Sequence, residues 1–320
     1  MTTATQPAPA DTIHQAAATT KARLIVLDLE TIPTQDAAIA ERIRNEAIEK
    51  RPASNTLKEL KLAWDTEKAR EERAREALLK TAVDPLLAMP ICNAMLLRGM
   101  DGQRYCHTLD LARLHAWEGR DADECDPILD FTCYEAGLAH LAKTLTVASG
   151  PETIWVGHNI AGFDLPVLLN RWRRAGIRPP EHFPRYCNGR WQGRVYDTML
   201  RTPSKNGLGL ISLSDAAEAY GLGPAKTVLF RGEPMDGSRV YEAFEAGEMD
   251  TILEYNMADV LIEEALYMVQ TANDTWGTWD LRDEVAEQIA EVEASSLSEG
   301  ARALAIVRIL DQAGLIPRMP

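Results

Sequence analysis

The amino-acid sequence predicts a mixed α/β fold in which helices cover the faces of one sheet. Short apolar runs at residues 24–27 and 153–156 are typical of buried strands. Two further segments, 91–98 and 103–109, are separated by a glycine-containing turn and resemble a β-hairpin. Helical patterns alternate with these strands, and this alternation indicates helices packed on a sheet.

The predicted elements follow one another in a simple order. The first strand ends near Pro33, because proline cannot donate a hydrogen bond to a neighbouring strand. Residues 35–80 are rich in Ala, Glu, Arg and Lys, which predicts about two helices forming an insertion beside the rest of the fold. After the hairpin we expect a helix, a strand, a helix, a strand and two helices, at residues 134–145, 153–156, 164–176, 194–198, 212–220 and 249–272.

Length and composition indicate an ordinary globular protein. The chain has 320 residues and is 46% hydrophobic, enough for a sizeable core. We expect a disordered tail at 1–20, one domain at 21–274 and a helical extension at 275–320.

The sequence also indicates where the protein is found. It contains no apolar run long enough for a membrane span and no apolar leader segment. The spacing of the five cysteines fits neither a disulfide framework nor a zinc site. These features predict a soluble, cytoplasmic protein.

The charge distribution limits the possible partners. A formal net charge of −14 argues against a protein that coats nucleic acid, since such binding depends on many basic contacts to phosphate. It is compatible with an enzyme that holds only a few nucleotides. Eight arginines between 171 and 201 predict either a local basic surface or a solvated helix end and loop.

Three short motifs carry the acids that could perform chemistry. Asp28 and Glu30 are two residues apart at a strand end, so their side chains share a face. Asp164 follows the next apolar strand at the start of a helix, and Tyr255 and Asp259 lie four apart on a late helix. Carboxylates are the oxygen ligands that hard divalent cations prefer. Two such ions can promote hydrolysis of a phosphodiester.

Each motif alone also has an ordinary structural interpretation. Two acids at a strand end are commonly solvated, and an aspartate before a Leu-Pro pair is typical of a helix N-cap. His158 could be a structural histidine, and Tyr255 with Asp259 could form a polar stripe. The conjunction of three such motifs in this order favours a common site over separate surface acids.

The three motifs resemble the Exo I, Exo II and Exo III motifs of the DEDD 3′→5′ exonucleases. The tyrosine four residues before Asp259 is similar to the DEDDy subgroup. Segments 28–33, 212–217 and 235–240 resemble the stand-alone proteins that are similar to the exonuclease domain of family B DNA polymerases. The resemblance covers roughly residues 23–270. It implies a ribonuclease H-like fold with a mixed five-stranded sheet.

The resemblance also implies roles for individual residues. By this similarity two Mg²⁺ or Mn²⁺ ions would be held by four acids, Asp28, Glu30, Asp164 and Asp259, while Tyr255 would orient the attacking water. Contacts to the terminal nucleotides are implied for four further residues: Thr31, His158, Asn159 and Phe163. The implied activity is release of nucleoside 5′-monophosphates from the 3′ end of single-stranded DNA.

Two other functions stay open on the sequence. An exoribonuclease trimming RNA 3′ ends would use the same chemistry, and nothing in the sequence reads the 2′-hydroxyl. A nucleic-acid-binding module of the same fold without activity is less consistent with the sequence, because every acid of the set is present. A phosphate-loop NTPase is disfavoured, since residues 221–227 lack the required glycine and lysine spacing.

Overall fold

The computed structural model describes residues 21–52, 66–99, 104–111, 131–187, 190–192, 194–202, 211–222 and 227–276, with the single residues 64, 291, 292, 294, 302 and 305. The predicted tail at 1–20 lies outside the described residues. So does most of the predicted extension at 275–320, and neither prediction is tested. None of the described helices is long and apolar enough to cross a membrane.

Nine strands and eight α-helices are assigned within the described residues. The strands are β1 (Ala22–Ile32), β2 (Met89–Gly99), β3 (Arg104–Asp110), β4 (Ile154–Gly157), β5 (Arg185–Cys187), β6 (Arg190–Gln192), β7 (Arg194–Asp197), β8 (Leu229–Phe230) and β9 (Glu233–Pro234). The helices are α1 (Ala37–Glu49), α2 (Glu67–Leu79), α3 (Phe131–Ala148), α4 (Asp164–Arg174), α5 (Thr198–Arg201), α6 (Leu213–Ala219), α7 (Val240–Glu245) and α8 (Met249–Trp276).

Five strands form the main sheet in the order β3-β2-β1-β4-β7. The central strand β1 pairs antiparallel with β2 and parallel with β4, and β4 pairs parallel with β7. The sheet is therefore mixed, and helices flank it. This arrangement confirms the predicted α/β fold and is consistent with a ribonuclease H-like architecture.

The alternation of side chains along β1 divides the core into two layers. Ile25 and Leu27 pack with helices α3 and α4, whose largest buried side chain is Trp172. Leu24 and Val26 point to the opposite face and pack against α8. Because successive strand residues alternate between faces, Asp28 and Glu30 continue the layer that faces α8.

The predicted insertion forms two helices that follow the end of β1. Asp36 caps α1 and Thr66 caps α2, as expected for side chains that accept from free helix N–H groups. A 3₁₀ turn, Lys80–Val83, then returns to the sheet. Thr31 Oγ1 donates to the Ala82 carbonyl at 2.6 Å, so the insertion ends beside the motif that carries Glu30.

Several short elements were not predicted from the sequence. The hairpins β5–β6 and β8–β9 have strands of only two or three residues, and α5 has a single turn. Such elements are too short to show a hydrophobic period. The long elements agree with prediction to within a few residues, and α8 continues to Trp276.

Candidate metal centre

Three of the predicted acids meet at the end of the central strand. Asp28 and Glu30 project from β1, and Asp259 projects from α8 across the same face of the sheet. One carboxylate oxygen from each of the three lies within 4.8 Å of the other two. Such spacing is suitable for sharing a cation, and the structure brings together acids that are more than 200 residues apart in the chain.

Asp164 lies next to this group without being part of it. It is the first residue of α4 and is 2% exposed. Its Oδ1 accepts the backbone N–H of Leu29 at 3.2 Å, between Asp28 and Glu30 in the sequence. The pKa of Asp164 is raised by burial and then by the charge of Asp28. Asp164 is therefore close enough to β1 to act with the three clustered acids.

The carboxylates raise one another's pKa values. Burial raises the pKa of Asp28 to about 7, while the hydrogen bond from Asn256 opposes that shift. The pKa of Glu30 is raised well above its usual range by burial and by the charges of Asp28, Asp259 and Asp164. Crowded acids at low exposure are costly to ionise without a counter-charge. A divalent cation supplies such a charge.

Tyr255 lies one helical turn before Asp259 and faces the same group. Its side chain is 9% exposed. Its hydroxyl forms a hydrogen bond with the Asp259 carboxylate, in which the phenol must donate because an ionised carboxylate only accepts. Burial, then the charges of Asp259 and Glu30, raise the pKa of Tyr255 well above its usual range. The phenol consequently keeps its proton at neutral pH.

Asn256 is a supporting residue that the sequence analysis missed. Its Nδ2 donates to Asp28 Oδ2 at 2.7 Å, and its side chain is fully buried. Its Oδ1 accepts from the Cys92 thiol at 3.6 Å. On the other side of β1, Asn93 Nδ2 donates to the Asp28 carbonyl at 3.0 Å. The signal available in the sequence was the position of Asn256 directly after Tyr255 in the third motif.

Two more acids, Asp197 and Glu263, accept hydrogen bonds from the turn at residues 158–163, which leads to Asp164. Asp197 accepts the N–H groups of Asn159 at 3.0 Å and Ala161 at 3.1 Å, and Glu263 accepts the N–H of His158 at 2.7 Å. The turn needs this support because Asn159 has a positive φ of 65°. Both acids were missed, since nothing in the sequence distinguishes them from other carboxylates.

The residues expected to contact nucleic acid have different surroundings. His158 Nε2 lies 2.8 Å from the Ile211 carbonyl, and Nδ1 lies 3.0 Å from Thr198 Oγ1. Because a carbonyl only accepts, we assign the proton to Nε2, which leaves Nδ1 to accept. Burial lowers the pKa of His158, so the ring is neutral. This network shows a structural role for the ring, and contact with nucleic acid stays a prediction.

Thr31, Asn159 and Phe163 are all partly accessible beside the cluster. The Thr31 hydroxyl is engaged by the Ala82 carbonyl, whereas Phe163 is partly buried against the core. Asn159 Oδ1 lies 2.4 Å from the position that a Cβ on Gly162 would occupy, so a side chain at position 162 would displace the Asn159 carboxamide. Their contacts with nucleic acid also stay predictions.

The arginines between 171 and 201 do not form one uniform basic surface. Arg171 donates to the carbonyls of Leu87 and Ala88. Others pair with carboxylates or stack on a ring: Arg174 with Asp36 at 3.5 Å, Arg194 with Glu152 at 2.6 Å, and Arg201 over Tyr196 at 5.2 Å. Several of the described guanidinium groups therefore contact other parts of the protein, which argues against the first interpretation, a local basic surface.

The donor set fits a hard divalent cation. All of the converging ligand atoms are carboxylate oxygens, and cysteine or histidine ligands are absent from the three-acid group. Mg²⁺ and Mn²⁺ favour oxygen ligands of this kind. The neighbours that raise the pKa of Glu30 are all acids, so a bound cation would relieve the repulsion that the folded protein imposes on them.

Comparison with known proteins assigns the chain to a family. A search of curated proteins found no match. A family described as predicted 3′-5′ exonucleases related to the exonuclease domain of PolB matches residues 135–296, just over half of the chain. The matched segment contains Asp164, Tyr255 and Asp259. Asp28 and Glu30 lie before it, on β1, which pairs with β4 inside the matched segment. The chain belongs to this family of predicted 3′-5′ exonucleases related to the exonuclease domain of PolB.

Proposed function

We propose that this protein is a two-metal-ion 3′→5′ exonuclease of the DEDDy type that hydrolyses single-stranded DNA to nucleoside 5′-monophosphates. The observation that carries the proposal is the convergence of Asp28, Glu30 and Asp259 within 4.8 Å, with Asp164 beside them. DNA is the preferred substrate in this proposal because the family is described as related to the exonuclease domain of PolB.

In this proposal, Asp28, Glu30, Asp164 and Asp259 hold two Mg²⁺ or Mn²⁺ ions. When bound, such ions act as Lewis acids that lower the pKa of water and offset negative charge on phosphodiester oxygens. The protein contributes a rigid set of oxygen ligands. Asp28 is oriented by Asn256, and Asp164 is oriented by the Leu29 N–H, so neither side chain has to reorganise to meet a cation.

Tyr255 has a separate role in the proposed reaction. Its phenol keeps its proton and lies against Asp259, so it can hydrogen-bond an attacking water beside the scissile phosphodiester. It would orient that water without acting as a base. Phe163 and Asn159 are available on the neighbouring turn to contact the terminal nucleotide by stacking and hydrogen bonding.

The direct experiment follows release of label from a 3′-labelled single-stranded DNA oligonucleotide with Mg²⁺ or Mn²⁺. Replacing Asp164 by alanine is expected to lower kcat at least about 100-fold, since loss of a ligand should exceed the 10–100-fold typical of supporting residues. Asp250→Ala is the matched control, because Asp250 is an exposed acid in the first turn of α8. Undiminished release by the Asp164→Ala protein would contradict the proposal.

A second variant separates orientation of water from metal binding. Tyr255→Phe removes only the hydroxyl, so we expect kcat to fall roughly 10-fold, which corresponds to the loss of one hydrogen bond of about 1.4 kcal/mol. Mn²⁺ affinity should fall less than kcat, because the Tyr255 hydroxyl contacts Asp259 but is not itself a proposed ligand. Rates on DNA and RNA oligomers of the same sequence, measured side by side, test the substrate. Faster hydrolysis of RNA would replace the proposed substrate with RNA 3′ ends.

A further inference from the structure

Glu263 is a buried acid near the metal centre that the proposed mechanism does not use. It lies on α8 one turn after Asp259 and is 1% exposed. Its Oε1 accepts the His158 N–H at 2.7 Å. Its Oε2 is buried and has no hydrogen-bond partner among the described residues. A buried carboxyl with one occupied and one unused oxygen requires an explanation.

The occupied oxygen joins two parts of the site. His158 begins the turn that ends at Asp164, and Asp164 in turn accepts the Leu29 N–H of β1. Glu263 therefore connects α8, which carries Tyr255 and Asp259, to the turn that carries Asp164. Asp197 secures the same turn from the side of β7 through the N–H groups of Asn159 and Ala161.

The unpartnered Oε2 indicates that the hydrogen bond from the His158 N–H to Glu263 does not require an ionised carboxylate. An ionised carboxylate leaving one oxygen without a partner in the protein interior is costly. Burial, followed by the charges of Asp28 and Asp164, raises the pKa of Glu263 well above its usual range. A neutral carboxyl still accepts an N–H through its carbonyl oxygen. Glu263 is also outside the group whose oxygens lie within 4.8 Å, so it is not one of the clustered acids.

We propose that Glu263 is a positioning residue that fixes Asp164 relative to Asp259 by accepting the His158 N–H, and that a neutral acceptor of the same length can replace it. The inference rests on the proposed function, because it concerns the placement of a proposed metal ligand. The side chain acts through the backbone of the turn and does not itself touch a cation or the substrate.

Two substitutions separate length from charge. Glu263→Gln keeps an acceptor at the position of Oε1 and removes the ionisable group. Glu263→Asp keeps the carboxyl and shortens the side chain by one methylene, which withdraws the acceptor from the His158 N–H. We expect the glutamine variant to bind Mn²⁺ within about threefold of the unchanged protein and the aspartate variant to bind it about tenfold more weakly, in line with losses at supporting residues.

Glu264 provides the matched control. It is the next residue on α8, equally buried, and its carboxylate pairs with Arg98 at 3.0 Å and with Arg104. Glu264→Gln is expected to lower the melting temperature while leaving Mn²⁺ affinity in place. Calorimetric Mn²⁺ titration and kcat are measured well below each melting temperature, so that loss of stability alone does not alter them.

The outcomes distinguish the inference from the proposed function. Full Mn²⁺ binding by the glutamine variant with weakened binding by the aspartate variant supports the inference. The reverse pattern would overturn it by showing that the charge is needed, and equal effects in both variants, or no effect in either, would also overturn it. If the unchanged protein bound no Mn²⁺, the metal centre itself would be refuted and the inference with it.

Discussion

At the scale of single residues, amide groups orient the carboxylates of the metal centre. Asp28 accepts from the Asn256 side chain, and Asp164 accepts from the Leu29 N–H. An amide N–H orients a carboxylate and leaves its negative charge in place. An arginine would neutralise that charge and so weaken the attraction for a metal cation. The acids are consequently oriented but still repel one another. This is the state in which a cation gains most from binding.

The hydrogen bond from Asn256 to Asp28 should contribute to metal binding. Replacing Asn256 by alanine removes the hydrogen bond to Asp28 Oδ2 and is expected to weaken Mn²⁺ binding about 10–100-fold, as for other groups that orient metal ligands. Asn170→Ala removes a side-chain amide that donates to the Pro85 carbonyl instead. Titration calorimetry on both proteins checks the prediction, and equal Mn²⁺ affinities would refute it.

The raised pKa values predict how stability depends on pH. Asp28 has a pKa of about 7 in the fold, so between the ordinary value of about 4 and that value the folded state binds more protons than the unfolded state. The free energy of unfolding of the metal-free protein should therefore fall as pH rises through this window. Asp28→Asn is expected to flatten that decline.

Metal should reverse the trend, because a cation binds the ionised acids and its affinity grows as they lose protons. We expect the rise in melting temperature caused by Mn²⁺ to be larger near pH 8 than near pH 5. Thermal scans with Mn²⁺ and with a chelator measure this difference across the range. A Mn²⁺ effect that is the same at both pH values would contradict the assignment of the cluster as the metal site.

At the scale of elements, α4 connects the helical insertion to the metal centre. Its first residue is Asp164, and its last turns contact the start of the insertion and the segment between the insertion and β2. Arg174 pairs with Asp36 at the start of α1, whereas Arg171 donates to the carbonyls of Leu87 and Ala88 just before β2. The insertion is therefore tied to the same helix that positions one of the four acids.

Arg171 should be the strongest of these ties. Replacing it by alanine leaves partly buried carbonyls without a charged donor, and such bonds contribute about 1.5–3 kcal/mol each. We expect the free energy of unfolding to fall by at least the contribution of one such bond. Arg173→Ala, two residues further along the exposed side of α4, should change it by less than about 0.5 kcal/mol. Urea denaturation measures the free energy of unfolding of both variants. Similar decreases in the two variants would refute the special role of Arg171.

The same elements show how far the sequence predicts the structure. The apolar run of β1 and the long pattern of α8 predict the elements that carry Asp28, Glu30, Tyr255 and Asp259, whereas their joint role was implied by the resemblance to known exonuclease motifs. The supporting groups could not be predicted in this way. Asn256 and Glu263 gain their roles from contacts with segments more than 100 residues away, at Asp28 and His158. A single sequence does not show such pairings.

At the scale of the whole molecule, the net charge and the contacts of the arginines both argue against a long basic surface for nucleic acid. The chain carries a formal net charge of −14. Of the basic residues after the second motif, Arg174 and Arg194 are paired with acids and Arg171 is committed to backbone carbonyls. Arg173 and Arg178 are exposed as well, so a few cations remain in the described part of this segment, on a chain that is acidic as a whole. In the proposed function, this balance favours contact with a short 3′ end over contact with a long stretch of nucleic-acid backbone.

This conclusion predicts a shallow dependence of binding on salt. For a single strand the slope of log affinity against log salt is about −0.7 for each phosphate contacted, so contact with fewer than about three phosphates gives a slope smaller in magnitude than about 2. The binding-competent but slowed Tyr255→Phe protein can be titrated with a labelled single-stranded oligonucleotide between about 50 and 300 mM KCl at fixed Mn²⁺. Arg174→Ala is the informative variant, because a guanidinium already paired with Asp36 should leave the slope unchanged. A slope steeper than about −4 would require more than about five phosphate contacts and would contradict binding of a short 3′ end.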